Sequence, residues 1–221
     1  RDVSAIFSVV RGTPTMSGLS NQTVTMTQAP YTLSPTSNST GTFSYVSDNS
    51  AVVFVTNGTT FNVASVGTAN ITATISEDAS GNFNSRSLVF VITVIRATSN
   101  LATNGVFTVP ESMTYGDTPV NAIQLPTSNS TGAITYVTGN SSIATIHPTT
   151  GVITAVGAGI VTFYASQAQT SVYNSNSTAS NFIQILRKSV TQTRAEPYTS
   201  STITKYYGDS MFTLGTVSES N

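Results

Sequence analysis

The sequence predicts an all-β protein built from repeated antiparallel β-sandwich modules of about seven strands each, with essentially no helix. Apolar residues alternate with Ser and Thr at the two-residue period of a half-buried strand. Turn residues recur roughly every eight to twelve positions, which is typical of sandwiches and barrels. No stretch of the chain shows the 3.6-residue period of an amphipathic helix. A closed barrel with a similar number of strands is the architectural alternative.

A seven-residue segment occurs twice and indicates a tandem array. Pro-Thr-Ser-Asn-Ser-Thr-Gly begins at Pro35 and again at Pro126, a spacing of 91 residues. The segments that follow, 42–46 and 133–137, match in their alternation and both contain Tyr-Val. A period of this length, built from strands and polar turns, predicts that each repeat is one module with its own core.

The boundaries of the modules are predicted from a second repeated feature. An apolar strand ends in a basic residue at Arg11, Arg96 and Arg187, and a short polar linker follows each. Short linkers of this kind are expected to restrict bending between neighbouring modules. The predicted divisions are the last strand of a preceding module at 1–12, one module at 13–96, a second at 97–188, and a linker with the first strands of a further module at 189–221.

Alternation also predicts individual strands and the core. The segment 69–75 is the clearest strand of the first module, and 88–95 is its last. In the second module, Val161, Phe163 and Ala165 are expected on one face, and 179–186 closes the module. Tyr45 and Tyr136 occupy equivalent positions, so they are expected to pack in the core or on a sheet face with a bonded hydroxyl rather than to form a sugar-binding platform.

Composition excludes several classes of partner. Charged residues make up 8% of the 221-residue chain and the net charge is −1, so a basic surface for nucleic acid or anionic lipid is not expected. The chain has no cysteine, which rules out disulfides and thiolate metal ligands. No run approaches the roughly 18 to 20 apolar residues of a membrane helix, so no membrane insertion is expected in this segment.

The residues capable of chemistry are few and scattered. His147 precedes Pro148 and is expected in a surface turn rather than in a catalytic or metal site. Asp117 and Asp209 recur in Tyr-Gly-Asp, where a turn aspartate is favoured over a calcium ligand. The adjacent pair Glu77-Asp78 is expected in a solvated loop. We therefore predict no catalytic residue, no metal site and no cofactor, and a protein that is not an enzyme.

Candidate modification sites are the Asn-x-Ser/Thr sequons. Many sequons arise by chance in a chain this rich in Ser, Thr and Asn. Asn38 and Asn129 occupy the same position of the repeated segment and are the better candidates for glycosylation.

Several motifs together resemble the bacterial immunoglobulin-like (Big-type) repeats of surface, phage and large-virus proteins. The matching segments are 115–119 (Tyr-Gly-Asp-Thr-Pro), 127–130, 136–137, 140–145, 151–159 and 173–174. The resemblance implies immunoglobulin-like sandwiches strung in tandem on extracellular stalks, adhesins, fibres or virion surfaces. The first module lacks Tyr-Gly-Asp at its opening, so a different first turn is expected there.

The leading functional hypothesis is a non-catalytic structural or spacer repeat array of an extracellular appendage, filament or virion surface. Its expected partners are further modules of the same chain, and either a second copy or other surface and virion proteins, with edge strands as one assembly route. The alternative is an adhesin or receptor-binding module that recognises a glycan or protein through its loops. A third hypothesis is an accessory domain of an enzyme. Loops repeated almost verbatim favour the structural hypothesis.

Overall fold

The computed structural model describes residues 6–101, 106–193 and 202–206. Asp209 and parts of the predicted segments 1–12 and 189–221 lie outside these residues. Within them the regular elements are all strands. The strands are β1 Gln22–Thr25, β2 Tyr31–Thr32, β3 Phe43–Ser47, β4 Val53–Thr56, β5 Thr60–Val63, β6 Gly67–Ile75, β7 Arg86–Ile95, β8 Ser112–Thr114, β9 Val120–Asn121, β10 Ile134–Thr138, β11 Ala144–Ile146, β12 Val152–Ala155, β13 Gly159–Gln167, β14 Asn176–Leu186, β15 Ser189–Thr193 and β16 Thr202–Tyr206.

The chain forms two compact units, residues 1–98 with 169–174, and residues 99–168 with 175–221. In the first unit, β1-β7-β6-β3 form a four-stranded sheet and β2-β5-β4 a three-stranded sheet. Side chains of both sheets meet in one buried cluster, including Tyr45 and Ile71 from the larger sheet and Val53 and Phe61 from the smaller. Apolar burial between the two sheets is what holds such a sandwich together.

The second unit repeats this topology. Its sheets run β8-β14-β13-β10 and β11-β12-β9, and its core includes Phe163 and Ile183 from the first and Ile153 from the second. Strands β15 and β16 pair as an antiparallel hairpin. The predicted fold class is confirmed: the described chain is all-β, with immunoglobulin-like sandwiches of four and three strands rather than closed barrels. The module boundaries at 13–96 and 97–188 stay predictions.

The outermost pair of each larger sheet is parallel, which the prediction of antiparallel strands did not include. β1 pairs with β7 over four residues, and β8 pairs with β14 over three. Strands joined by a hairpin must be antiparallel, but the first and last strands of a unit are far apart in sequence and either direction is open to them.

The described part of the predicted strand at 1–12 makes no ladder. Residues 6–11 belong to no strand, and Ile6 and Val9 are 94% and 96% exposed. Apolar alternation alone does not make a strand, because the backbone also needs a partner to bond. The assignment of this segment to a preceding module stays a prediction.

A bulge in β14 determines which side chains face outward. Thr162 pairs with Phe182, but Tyr164 pairs with Ala179, so β14 carries one extra residue between them. Before the bulge the odd-numbered positions of β14 are the exposed ones, and after it the even-numbered positions are. One extra residue exchanges the two faces of a strand, and here it turns Phe182 to the outside.

Candidate functional site

The repeated segment is a loop with the same hydrogen bonds in both units. In the first, the Ser39 N–H donates to Ser37 Oγ at 3.0 Å and the Gly41 N–H to Ser39 Oγ at 3.2 Å. In the second, Ser130 N–H and Gly132 N–H make the equivalent bonds at the same two distances. Serine hydroxyls that accept from the backbone two residues on form compact polar turns, which explains why these residue types recur in this order.

The glycine that ends each copy is required by a close backbone approach. A Cβ on Gly41 would overlap the carbonyl oxygen of Ser76, and a Cβ on Gly132 would overlap that of Ala168. The Ser76 carbonyl follows β6, which pairs with β3, and the Ala168 carbonyl follows β13, which pairs with β10. In each unit the loop therefore lies directly against the end of that strand. Only glycine allows this approach without displacing the backbone.

The structure places both predicted glycosylation sites in these loops, on exposed side chains. Asn38 Oδ1 accepts from the Thr15 N–H at 2.8 Å. Asn129 and Asn100 each accept the other's backbone N–H through Oδ1, at 3.0 and 2.7 Å. Both side chains therefore already tie the loop to a preceding segment of the chain, a role that the sequence did not indicate.

A buried glutamine supports the loop of the second unit. Gln167 is 1% exposed, and its Nε2 donates to the Ser130 and Gly132 carbonyls at 3.0 Å each. Its Oε1 accepts from the Ser128 hydroxyl at 2.7 Å. Ile75 occupies the equivalent, fully buried position of the first unit, paired to β3 as Gln167 is to β10. The two units thus support the same loop by hydrogen bonding in one and by apolar packing in the other.

The loop that contains Glu77 and Asp78 is largely exposed, as expected, but the Asp78 side chain itself is buried, which was not expected. The side chain is 6% exposed, and its carboxylate accepts from the Ser80 hydroxyl and from the Asn82 N–H. A buried carboxylate needs such donors because nothing else replaces its lost hydration. Its neighbour Glu77 forms an ion pair with Arg11, and both of those side chains are about half exposed.

Acid is expected to weaken the loop that Asp78 holds. The Ser80 hydroxyl, with backbone N–H groups, lowers the pKa of the Asp78 carboxyl below its usual value. A carboxyl with a lowered folded-state pKa contributes stability above its unfolded-state pKa of about 3.9 and loses it as the pH falls through the folded-state value. Asp78→Asn should therefore show a smaller loss of thermal stability than the natural chain between about pH 5 and pH 2. Equal losses in thermal melts of the two proteins would contradict this role.

The residues that follow Arg11 and Arg96 are each clamped by two backbone hydrogen bonds. The Gly12 N–H donates to the Asn82 carbonyl at 2.7 Å, and the Gly12 carbonyl accepts from the Asn84 N–H at 3.0 Å. Ala97 makes the same two bonds with Val172 and Asn174, both at 2.9 Å. The two loops share an aromatic residue followed by Asn and Ser, at 83–85 and at 173–175, and the same loop positions make the clamp in both.

The remaining candidates close turns. His147 is exposed, and its Nδ1 accepts from the Thr149 and Thr150 N–H groups at 3.3 and 3.2 Å. Asp117 Oδ2 accepts from the Thr114 N–H at 2.7 Å. Within the described residues no three His, Asp or Glu side chains are grouped so that they could hold a metal ion. The first turn differs as expected: both units close it with a backbone bond, Gln28 N–H to Thr25 O and Asp117 N–H to Thr114 O, but Gly116 has a φ of +86° and Thr27, at the equivalent position, does not have a positive φ.

Tyr45 and Tyr136 lie in the two cores, each 5% exposed, and burial raises the pKa of both phenols. The ring of Tyr45 packs edge-on against Phe61, with ring centroids 5.0 Å apart. Among the described residues the buried Tyr45 hydroxyl has no hydrogen-bond partner, contrary to the expected bonded hydroxyl. The tyrosine position is therefore explained by apolar packing.

No family model matches the chain, and no curated protein matches it. Among solved structures it is similar to human protocadherin-24 EC1-2, at 12% identity over 80% of this chain and 98% of that one, with a TM-score of 0.35. It is also similar to domains 4 and 5 of the S-layer protein SbsC, at 14% identity over 70% and 82%, with a TM-score of 0.30. It spans 64% of the mouse cadherin-23 EC22-24 structure, with 79% of this chain covered, 12% identity and a TM-score of 0.30. At such scores the fold assignment rests on the strand pairings described above. The part of the chain that the structure describes contains no helix long and apolar enough to cross a membrane.

Proposed function

We propose that this chain is a non-catalytic spacer that carries tension in an extracellular appendage, filament or virion surface. Its tandem modules would hold other parts of the assembly at a distance, with further modules of the same chain as its nearest partners. We also propose that the modules are of the Big type and that they span residues 13–96 and 97–188.

The parallel pairing of first and last strands carries this proposal. β1 lies beside β7 with Gln22 opposite Ile92 and Thr25 opposite Ile95. Tension on the two ends of the unit pulls β1 toward its start and β7 toward its end, so these neighbours are drawn past each other. All bonds of the ladder must then fail together, whereas a hairpin pulled from its open end loses them one at a time. The pair β8 and β14 repeats the geometry.

Two further observations favour a spacer over an adhesin. The clamp at Ala97 holds the chain just after β7, and Gly12 makes the same two bonds, which reduces the freedom of the chain at both places. The loops at 35–41 and 126–132 have the same sequence and the same internal hydrogen bonds. A recognition site made of loops would be expected to vary between copies, because the contacts that give specificity differ from one ligand to the next.

Single-molecule force spectroscopy tests the proposal. Pulled from its two chain ends, the protein should unfold in two steps at high force, one for each unit. Met26→Pro removes the Met26 N–H bond to the Ile95 carbonyl, 2.9 Å long at the end of the β1–β7 ladder, and should lower one of the two forces only. The second unit is the control within the same molecule. Unfolding of the natural chain at low force, or equal lowering of both steps, would overturn the proposal.

We also propose that Asn38 and Asn129 carry N-linked glycans when the producing cell has the machinery. Both are exposed, and a glycan on Nδ2 leaves Oδ1 free to keep the observed backbone bonds. Expression in an N-glycosylating cell should give a mass increase that Asn38→Gln with Asn129→Gln reduces. Intact mass without any glycan on either residue would contradict the proposal.

A further inference from the structure

We propose that Asn57 is a site of spontaneous deamidation, a modification that converts the first unit to a weakened form as the protein ages. Asn57 and Gly58 lie at the tip of the β4–β5 hairpin, and the Asn57 side chain is exposed. An Asn-Gly pair gives this reaction the least obstruction, because glycine has no Cβ beside the attacking nitrogen. The inference does not depend on the spacer function.

The hairpin tip is a tight turn in which both central residues have a left-handed backbone. The φ angle is 52° at Asn57 and 69° at Gly58, and the Thr59 N–H closes the turn on the Thr56 carbonyl at 3.2 Å. Two positive φ angles define a type I′ turn, for which Asn-Gly is the preferred sequence. The residue types that suit this turn are therefore also the pair that reacts.

The fold restrains neither of the two reacting groups. Within the described part of the chain, the Asn57 side-chain amide and the Gly58 N–H make no hydrogen bond. A Cβ built on Gly58 would meet no atom within 4 Å, so the turn has room to rotate. Asn70, which is also exposed, differs because its Nδ2 donates to Asp48 Oδ2 at 2.7 Å. Exposure and freedom thus coincide at Asn57.

The reaction needs water as its only co-reactant. The Gly58 nitrogen attacks Asn57 Cγ, a bond between them forms, and the bond from Cγ to Nδ2 breaks, so that Nδ2 leaves as ammonia with the Gly58 proton. Water then opens the five-membered imide at one of its two carbonyls. Opening at Cγ gives aspartate, and opening at the main-chain carbonyl gives isoaspartate, whose backbone is one methylene longer. Either product adds a negative charge to a chain with a net charge of −1.

Isoaspartate at this position would break a link between the two sheets of the first unit. The Tyr45 N–H, on β3 of the larger sheet, donates to the Gly58 carbonyl at 3.0 Å, at the tip of a hairpin of the smaller sheet. The added methylene lies directly before Gly58 and displaces this carbonyl. Tyr45 is 5% exposed, and a buried N–H that loses its acceptor is destabilising. Deamidation is therefore expected to release the hairpin tip from β3.

The second unit makes the same link without the reactive pair. The Tyr136 N–H donates to the Pro148 carbonyl at 2.9 Å, at the tip between β11 and β12. His147 and Pro148 stand where the first unit has Asn57 and Gly58. A proline nitrogen carries no proton and a histidine side chain has no amide, so this tip cannot form the imide. Of the two equivalent hairpins, only that of the first unit is open to the modification.

Ageing of the intact chain at about pH 8 and 37 °C, followed by peptide mapping, tests the reaction. The chain is made in a cell that does not N-glycosylate, because Asn57 also begins a sequon. Asn57 should convert at least about 10-fold faster than Asn140, an exposed asparagine followed by serine. Its rate should lie within about 10-fold of the rate in the guanidinium-unfolded chain, since the folded turn does not protect it. Asn57→Gln should abolish conversion at this position. Mapping separates it from the Asn-Gly pair at 104–105, which lies outside the described residues.

Amide hydrogen exchange tests the structural consequence. In the isoaspartate form, isolated by ion exchange, the Tyr45 N–H should exchange at least about 10-fold faster than in the natural chain, and the Tyr136 N–H should be unchanged. Asn57→Asp carries the same added charge on a backbone of normal length, so it should keep Tyr45 protected. Conversion of Asn57 no faster than that of Asn140, or more than about 10-fold slower than in the unfolded chain, would overturn the proposal. Equal Tyr45 exchange in the isoaspartate form and in Asn57→Asp would overturn it as well.

Discussion

Replacing Gly132 with alanine is expected to destabilise the second unit by about 3 kcal/mol, at the upper end of the range for overpacked sites. The added Cβ would overlap the Ala168 carbonyl oxygen, and that oxygen belongs to the backbone. A flexible side chain could move away from the new methyl group, but here the loop or the end of β13 must shift. The shift would also disturb the bond from the Ala168 N–H to the Ala133 carbonyl, which is 2.9 Å long.

Gly41→Ala should destabilise the first unit in the same way, since its Cβ would overlap the Ser76 carbonyl oxygen. Amide hydrogen exchange measured separately on β6 and β13 distinguishes the two units, because each variant should speed exchange in its own strand. Thr131→Ala, next to Gly132 and exposed, is the control and should change stability by less than about 0.5 kcal/mol. Unchanged exchange in both glycine variants would mean that the backbone approach is not rigid.

Gln167→Ala is expected to cost the second unit about 3 kcal/mol. The change removes three hydrogen bonds to the repeated loop and leaves a cavity at a position that is 1% exposed. Buried carbonyls that lose their donor and buried space that is left empty are both destabilising.

Gln167→Ile separates these two causes. Isoleucine is the residue at the equivalent position 75, where it is fully buried beneath a loop of identical sequence. It fills the space without the hydrogen bonds, so we expect a loss of only about 1 kcal/mol. Urea unfolding of the natural chain, Gln167→Ala and Gln167→Ile measures the loss of unfolding free energy in each variant. If Gln167→Ile is as damaging as Gln167→Ala, then hydrogen bonding rather than volume is what the loop requires.

Much of the fold was predictable because a strand repeats its side chains every two residues. Val161, Phe163 and Ala165 alternate with polar or exposed residues, and all three are buried as predicted. The strand at 69–75 lies within β6, and the strand at 88–95 within β7. The repeated loops were also identified correctly, although the reason for their final glycine needed the carbonyl positions of a distant segment.

Other features depend on which backbone segments become neighbours. Asp78 looked like a surface residue because its donors, Ser80 and Asn82, fold back over it only when the loop forms. Nothing in the local sequence indicates that Gln167 is buried, because it is the pairing of β10 with β13 that places it inside with loop carbonyls around it.

The sequence by itself determined that this protein is all-β, because alternation and turn residues are local signals. Tertiary structure alone decided that first and last strands pair in parallel and that Phe182 faces outward. Both depend on register between strands that are distant in sequence, and a one-residue bulge such as that in β14 exchanges the two faces without a clear sign in the local pattern.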